Sequence, residues 1–310
     1  MNLLVAVPDS DMLARLTPRL PSGVDLVVWN YGDPAPDRAF DLYVSPYTVG
    51  YSALGQLAGI ARHVQIQSLG YDGAGDHLPE GITLSNAVGV HEGPTAEMAM
   101  TLILASQRGW PEVGRAQVAE HWSRHTYPGL IGARVLLIGV GGIGGEFEKR
   151  IANFDVELTR VARTARNGIH AITELPELLP NADIVVIAIP YNPQTRHLVD
   201  SEFLDLLPKG ALVVNVSRGP IVDTDALVAH LETGAVRSAL DVVDPEPLPD
   251  GHPLWSLPGS LISPHMGGAV QSMNSRVDPL VLSQIDRLLD GDQPAHIVLP
   301  VPPAESRPNS

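Results

Sequence analysis

The chain has 310 residues, 44% of them apolar, which is room for one large domain or two of ordinary size. Its 20 Lys and Arg against 35 Asp and Glu leave a net charge of −15, which argues against nucleic acid as a partner, since no basic excess exists to release counterions. The absence of cysteine excludes disulfides, thiolate catalysis and Cys-built zinc sites, and fits a reducing compartment.

The start, MNLLVAVP, has an apolar run but no basic leader. The apolar run MAMTLILA (98–105) falls well short of the ~20 residues of a membrane helix. A soluble, cytoplasmic protein with no membrane partner is expected. Candidate strands follow at LLVAV (3–7), VDLVVW (24–29), DLYVS (41–45), VQIQS (64–68) and ITLS (82–85), with helix-like stretches such as MLARLT and YSALGQLAGIA between them. A long helical segment is predicted from Gly93-Pro94 towards His121, opened by Pro94 and the early charge of Glu97. A second alternation runs through RVLLIG (134–139), VELTRVA (156–162), IVVIAIP (184–190), ALVVNVS (211–217), SALDVV (238–243) and SLISP (260–264). These runs are apolar on both faces, as strands buried in a parallel sheet are. A last helix near 272–290 precedes a Pro-rich tail.

GVGGIG (139–144) stands between an apolar strand and a helix. Gly139 permits a tight turn, Gly141 lets a pyrophosphate approach the backbone, and Gly144 lets helix and strand pack closely. With Gly142 and Ile143 between them, this stretch reads as a dinucleotide loop, the helix N-terminus offering free N–H groups to phosphate. The next strand should end on an acid if the ribose carries a free 2′-OH. Asp155 and Glu157 lie too early, at the strand start, and the tip is Ala162-Arg163-Thr164, with Arg166 beyond. An arginine fork and a hydroxyl suit a 2′-phosphate, so NADP is preferred to NAD. Ordinary solvated arginines are the other reading.

Three further segments each end or follow a predicted strand: NVSRGPIVDTDAL (215–227), LDVVDPEPLPDGHPLW (240–255) and LISPHMGG (261–268). Open α/β sheets place ligands there. Taken singly, Arg218, Glu246 and His265 have bland explanations as a turn cap, a stiff solvated loop and a structural histidine. Together they supply a fixed cation, a carboxylate and a proton donor, the parts needed to reduce a 2-keto acid beside a dinucleotide.

In these motifs the chain resembles the D-isomer-specific 2-hydroxyacid dehydrogenases. GVGGIG, IPYNPQTRHLVD (189–200), NVSRGPIVDTDAL, LDVVDPEPLP and SPHMGG stand in family order, with 28 residues from Arg218 to Glu246 and 19 from Glu246 to His265. The resemblance covers nearly the whole chain. It implies that Arg218 binds the substrate carboxylate and carbonyl, that His265 is the acid–base, and that Glu246 holds its ring. It also implies that Asp241 meets the nicotinamide carboxamide, with Pro190 and Ser217 lining the cofactor side. In the first third, SLGYDG (68–73) matches the family's substrate loop. The amides of Leu69 and Gly70 would hold the substrate carboxylate there, and Tyr47, in SPYTVG (45–50), would line the pocket. Members similar to glyoxylate and hydroxypyruvate reductases replace the ribose-binding acid by a small residue followed by Arg, as in Ala162-Arg163.

His121 and His125 in HWSRH are spaced to share a helical face, but no HExxH pattern or third ligand accompanies them, and no metal is expected. The expected fold is α/β, with two Rossmann-like or flavodoxin-like domains, doubly wound parallel sheets and an active-site cleft between them. A discontinuous substrate domain spans 1–92 and 288–310, and the dinucleotide domain spans 93–287. A small 2-keto or 2-hydroxy acid is the expected substrate. The resemblance implies a homodimer, with Met98, Met100, Leu102, Ile103, Trp110 and Trp122 as its surface. A phosphoglycerate dehydrogenase-like enzyme ranks below this reading, because the 310 residues show no extra regulatory domain of the kind many such enzymes carry. A dinucleotide-sensing interaction protein ranks below it too, since a sensor needs no proton donor.

Overall fold

The structure, a computed structural model, describes residues 2–299; the end of the Pro-rich tail lies outside them. In chain order the strands are β1 (Leu3–Val7), β2 (Val24–Val28), β3 (Leu42–Val44), β4 (His63–Gln65), β5 (Thr83–Ser85), β6 (Arg134–Ile138), β7 (Glu157–Ala162), β8 (His170–Ala171), β9 (Ile184–Ile187), β10 (Ala211–Asn215), β11 (Val236–Leu240), β12 (Ser260–Ile262) and β13 (Ile297–Leu299). The α-helices are α1 (Ser10–Leu16), α2 (Glu92–Gln107), α3 (Trp110–Val118), α4 (Gly142–Ile151), α5 (Leu175–Leu178), α6 (Ser201–Asp205), α7 (Thr224–Glu232) and α8 (Asn274–Leu289).

The chain divides into a first unit, residues 1–91 with 271–310, and a second, residues 92–270. The first unit's sheet has the order β13-β5-β4-β3-β1-β2, parallel except for β13, which pairs antiparallel with β5. Without β13 this is the flavodoxin-like order. The second unit's sheet, β12-β11-β10-β9-β6-β7-β8, is parallel throughout and follows the dinucleotide-binding order, reversing direction between β6 and β9.

The central strands form where β-branched and aliphatic residues run unbroken. Every residue of β9 (IVVI) and β10 (ALVVN) is buried, because helices cover both faces of a parallel sheet. Aspartates start three of the helices: Asp9, Asp200 and Asp223 accept from the backbone N–H of Met12, Phe203 and Ala226, satisfying donors that the first turn leaves open. Phe147 and Ile151 of α4 are fully buried among Leu137, Val186 and Ile103, so truncating Phe147 to Ala would cost about 3–5 kcal/mol.

Three expectations change. The segment from Gly93 is not one helix running to His121. Gly109 takes φ 63°, a left-handed conformation that stops α2, and Pro111 starts α3 just beyond it. The chain after α3 is irregular around His121 and His125, so these do not share a helical face; His125 Nε2 instead meets Ser123 Oγ at 2.8 Å. Finally, α8 groups with the first unit rather than with the dinucleotide domain expected to run to 287. Its Val277, Val281 and Ile285 are buried against Val5, Val7 and Leu42. Of the proposed dimer surface, Met100, Leu102 and Ile103 are core residues, whereas Trp110 and Trp122 are 59% and 95% exposed.

Candidate active site

In the second unit, the glycine loop leaves β6 at the point where strand order reverses and enters α4. The glycines divide by what a side chain would meet. A Cβ on Gly139, which has φ 105°, would lie 2.2 Å from the Ala188 carbonyl oxygen. One on Gly144 would lie 1.9 Å from the Gly139 carbonyl oxygen, and one on Gly142 2.6 Å from Glu92 Cγ. These three are glycine because the protein leaves no space. Gly141 differs: nothing lies within 4 Å of its Cβ position, and the residue is exposed and caps α4. An open backbone at a helix N-terminus fits a pyrophosphate, which supplies the reason for that glycine. Ile143 turns inward onto the Phe147 cluster.

At the end of β7, Arg160 is engaged by Glu148 of α4 at 2.6 Å. Arg163, Thr164 and Arg166 beyond it are exposed, and neither of these two arginines forms an ion pair among the described residues. Arg166 and Ile169 exchange backbone hydrogen bonds of 3.0 and 2.7 Å across Asn167-Gly168, the glycine taking φ 73°. Glu157 opens β7 at the far end of the strand from this tip. The residues present therefore fit a phosphorylated dinucleotide: open glycine backbone for the pyrophosphate, and two unpaired guanidinium groups with a hydroxyl where an acid would otherwise stand.

Arg218, Glu246 and His265 follow β10, β11 and β12, three adjacent strands of the same parallel sheet, so all three leave its C-terminal edge. Asn215, fully buried at the end of β10, accepts from Ser217 N (3.0 Å) through Oδ1 and donates to the Arg218 carbonyl (2.8 Å) through Nδ2. It therefore shapes the turn that presents Arg218. Ser217 donates its hydroxyl to the Ile187 carbonyl at 3.0 Å. Gly219 lets this turn press on the next one, since a Cβ there would lie 1.8 Å from the Val243 carbonyl oxygen. The PEPLP segment is anchored rather than loose: Leu248 within it and Leu254 just beyond it are buried in the core.

Glu246 Oε1 accepts a 2.5 Å hydrogen bond from His265 Nδ1. Both side chains are partly open, at 47% and 39% exposure, and His265 Nε2 has no partner among the described residues. The hydrogen bond to Glu246 raises the pKa of His265; burial and the charge of Arg218 oppose it, and the charges of Glu246 and Asp241 reinforce it. Burial drives the Glu246 carboxyl upward, but the hydrogen bond and charge of His265, helped by Arg218, outweigh it and leave Glu246 below its ordinary value. The pair thus favours a protonated imidazole beside an ionised carboxylate, with Nε2 presented outward.

Asp241 is buried, and its carboxylate organises the histidine loop. Oδ1 accepts from Ser263 Oγ (2.7 Å) and Met266 N (2.9 Å), and Oδ2 from Gly267 N (2.8 Å). Its carbonyl accepts from His265 N at 2.8 Å, while His265 takes φ 53°, a region uncommon outside glycine and enriched at functional sites. The pattern of residues missed two supports, Asn215 and Ser263. A polar residue closing an otherwise apolar buried strand was the available signal for Asn215. Pro190 is exposed after β9, and its carbonyl accepts from Thr195 Oγ1 at 3.0 Å.

In the first unit, the loop holding Leu69 and Gly70 follows β4. The Leu69 carbonyl accepts from Asn86 Nδ2 at 2.7 Å, and the Gly70 carbonyl accepts from the hydroxyls of Tyr51 and Ser68. The amides of Leu69 and Gly70 donate to no acceptor among the described residues. Tyr47 is 41% exposed and stacks on His91 with ring centroids 5.4 Å apart and planes at 17°.

Residues 100–267 match the family model described as D-isomer specific 2-hydroxyacid dehydrogenase, NAD binding domain. The chain is similar to a glyoxylate reductase from Thermofilum pendens, 32% identical over 76% of this chain and 74% of that one. It is also similar to a D-3-phosphoglycerate dehydrogenase from Methanocaldococcus jannaschii, 31% identical over 71% of this chain but only 43% of the other. Among solved structures, a D-isomer specific 2-hydroxyacid dehydrogenase from Xanthobacter autotrophicus in complex with NADPH and MES superposes with a TM-score of 0.81 at 25% identity, covering 96% of this chain and 98% of that one. A glycine loop at the sheet's switch point, an Arg, Glu and His set on one sheet edge and these similarities agree: the chain belongs to the D-isomer-specific 2-hydroxyacid dehydrogenase family and is an NAD(P)-dependent oxidoreductase.

Proposed function

We propose that this chain reduces a small 2-keto acid of the glyoxylate and hydroxypyruvate kind to the D-2-hydroxy acid, with NADP preferred to NAD. The observation that carries the reading is the Glu246–His265 hydrogen bond beside Arg218, on the sheet edge that also bears the glycine loop. The dinucleotide supplies the hydride. Gly139, Gly141, Gly142, Ile143 and Gly144 hold its pyrophosphate end. Arg163, Thr164 and Arg166 receive a 2′-phosphate, and Pro190, Ser217 and Asp241 line the nicotinamide side. Arg218 polarises the substrate carbonyl and fixes its carboxylate. His265 donates the Nε2 proton to the carbonyl oxygen as the hydride reaches carbon, and Glu246 steadies the imidazolium. On the first unit, the amides of Leu69 and Gly70 are donors of the kind a carboxylate needs, and Tyr47 is the substrate-contacting ring of that unit.

The similarity to a glyoxylate reductase supports the substrate class, and the NADPH complex of the Xanthobacter relative supports the cofactor. The test is oxidation of NADPH and NADH with glyoxylate, hydroxypyruvate, pyruvate and phenylpyruvate. Turnover of at least one, faster with NADPH, is expected; no turnover beside tight dinucleotide binding would favour a sensing protein. Oxidation of 3-phosphoglycerate is a second reading, favoured by the Methanocaldococcus relative, and the same assay run in reverse distinguishes it.

A homodimer in the cytoplasm completes the proposal. Trp110, Val113, Val118, Trp122 and Ile131, on α3 and the chain after it, are exposed apolar residues that pairing of two copies would cover. A chain without cysteine suits a reducing compartment.

A further inference from the structure

The loop bearing Leu69 and Gly70 is pinned by its carbonyl oxygens, plane after plane. His91 Nε2 donates to the Gln67 carbonyl at 2.5 Å, Ala87 N to the Ser68 carbonyl at 2.9 Å, and Asn86 Nδ2 to the Leu69 carbonyl at 2.7 Å. The Tyr51 and Ser68 hydroxyls take the Gly70 carbonyl. A trans peptide is planar, with C=O and the following N–H pointing in opposite directions. Holding the Ser68 and Leu69 carbonyls therefore aims the N–H groups of Leu69 and Gly70 away from the anchors, and neither N–H finds an acceptor among the described residues.

Two of the anchors are buried polar side chains, Asn86 and His91, each 5% exposed. His91 also joins this loop to the neighbouring one. Its ring stacks on Tyr47, and Gln67, whose carbonyl it holds, donates its side-chain amide to the Ser45 carbonyl at 2.9 Å. One histidine thus ties the exposed tyrosine to the start of the loop that carries the open amides.

We propose that Asn86 and His91 are positioning residues for the substrate: through the Leu69 carbonyl Asn86 presets the Gly70 amide, and through the Gln67 carbonyl His91 fixes the Gln67–Ser68 peptide that leads into the Leu69 amide while its ring holds Tyr47. The proposal rests on the reading of the chain as a 2-keto acid reductase. Hydrogen-bond donors fixed before binding need no ordering when the carboxylate arrives, so their supports act on substrate affinity rather than on the chemical step.

The test compares the wild type with Asn86→Leu, His91→Phe, which keeps a stacking ring but loses the donor, and His91→Gln, which restores a donor. Measured are KM and kcat for glyoxylate, NADPH affinity by fluorescence, and Tm. Asn86→Leu and His91→Phe are expected to raise KM about tenfold while kcat stays within about threefold and NADPH affinity within about twofold, and His91→Gln to recover most of the loss. If Asn86→Leu fails to fold, the two His91 variants decide between themselves. Unchanged KM in folded variants overturns the proposal, and so does a loss of Tm, kcat and NADPH affinity together, or failure of all three to fold, since either outcome marks plain structural residues. A wild type that oxidises NADPH with glyoxylate yet yields indifferent variants sinks this proposal alone; a wild type inactive on every 2-keto acid sinks the functional reading with it.

Discussion

His265 Nδ1 lies 2.5 Å from Glu246 Oε1, so one imidazole nitrogen is committed to a carboxylate and the other is left for chemistry. The hydrogen bond to Glu246 raises the His265 pKa, and reduction of a keto acid needs the protonated ring. Reductive kcat/KM should therefore be flat at low pH and fall as pH rises through the raised pKa of His265, while oxidation of the hydroxy acid shows the opposite slope. In Glu246→Gln the falling limb should move to lower pH, towards the ordinary value of about 6.5, with turnover down roughly ten- to hundredfold. A pH–rate profile superimposable on that of the wild type would rule out this coupling.

Arg163 and Arg166 test cofactor choice. Removal of a charge-assisted contact to phosphate in Arg163→Ala should raise KM for NADPH about ten- to hundredfold and change that for NADH less than about threefold. Steady-state titration with each cofactor measures this. Equal weakening of both, or of neither, would return these arginines to the role of solvated surface residues.

The glycines of the loop should separate fold from binding. Gly144→Ala sets a Cβ 1.9 Å from the Gly139 carbonyl oxygen, and overpacking of this kind is expected to cost about 1–3 kcal/mol in denaturant unfolding. Gly141→Val places its Cβ where no protein atom lies within 4 Å. It should leave Tm unchanged and weaken dinucleotide binding by about tenfold or more, because it fills the space a pyrophosphate would use. A Gly141→Val protein that binds NADPH normally would contradict the placement of the phosphates.

Asp241 accepts from a serine hydroxyl and two backbone amides of the histidine loop. Asp241→Ala leaves three donors without an acceptor, and a loss of about 2–5 kcal/mol in stability is expected, together with reduced turnover. Calorimetry and initial rates measure the two effects. Full stability with lost turnover would instead assign Asp241 to the nicotinamide alone.

The exposed tryptophans test assembly. The double variant Trp110→Glu, Trp122→Glu replaces two exposed indoles by charges and should halve the mass seen by light scattering without lowering the far-UV helical signal. A wild type that is already a monomer would remove the dimer from the proposal.

Much of this was legible in the residues. The unbroken apolar runs of β9 and β10 announce buried parallel strands, and the glycine spacing announces the loop, because both follow from local rules. Other features depend on partners distant in sequence. The two residues of β8 and three of β13 are too short to carry a pattern, and β13 is defined by its pairing with β5. The apolar stripe of α8 shows that the helix is buried but not which sheet it covers. Gly109 sits inside a segment that otherwise reads as helix, and only its left-handed φ reveals the break. In the site, Arg218, Glu246 and His265 stand out as types that carry chemistry. Asn215, Ser263, Asn86 and His91 act through hydrogen bonds to backbone made by the fold, which no spacing encodes.

Arg166 and Ile169 close their own turn with a reciprocal pair of backbone hydrogen bonds, so residues 163–166 hang between β7 and β8 as a limb that contributes little to the core. The arginine that does serve the architecture, Arg160, lies within the strand and is held by Glu148. Cofactor selection, on the proposed reading, is thereby uncoupled from folding: the limb can be exchanged residue by residue, in evolution or by design, while sheet and catalytic edge stay as they are.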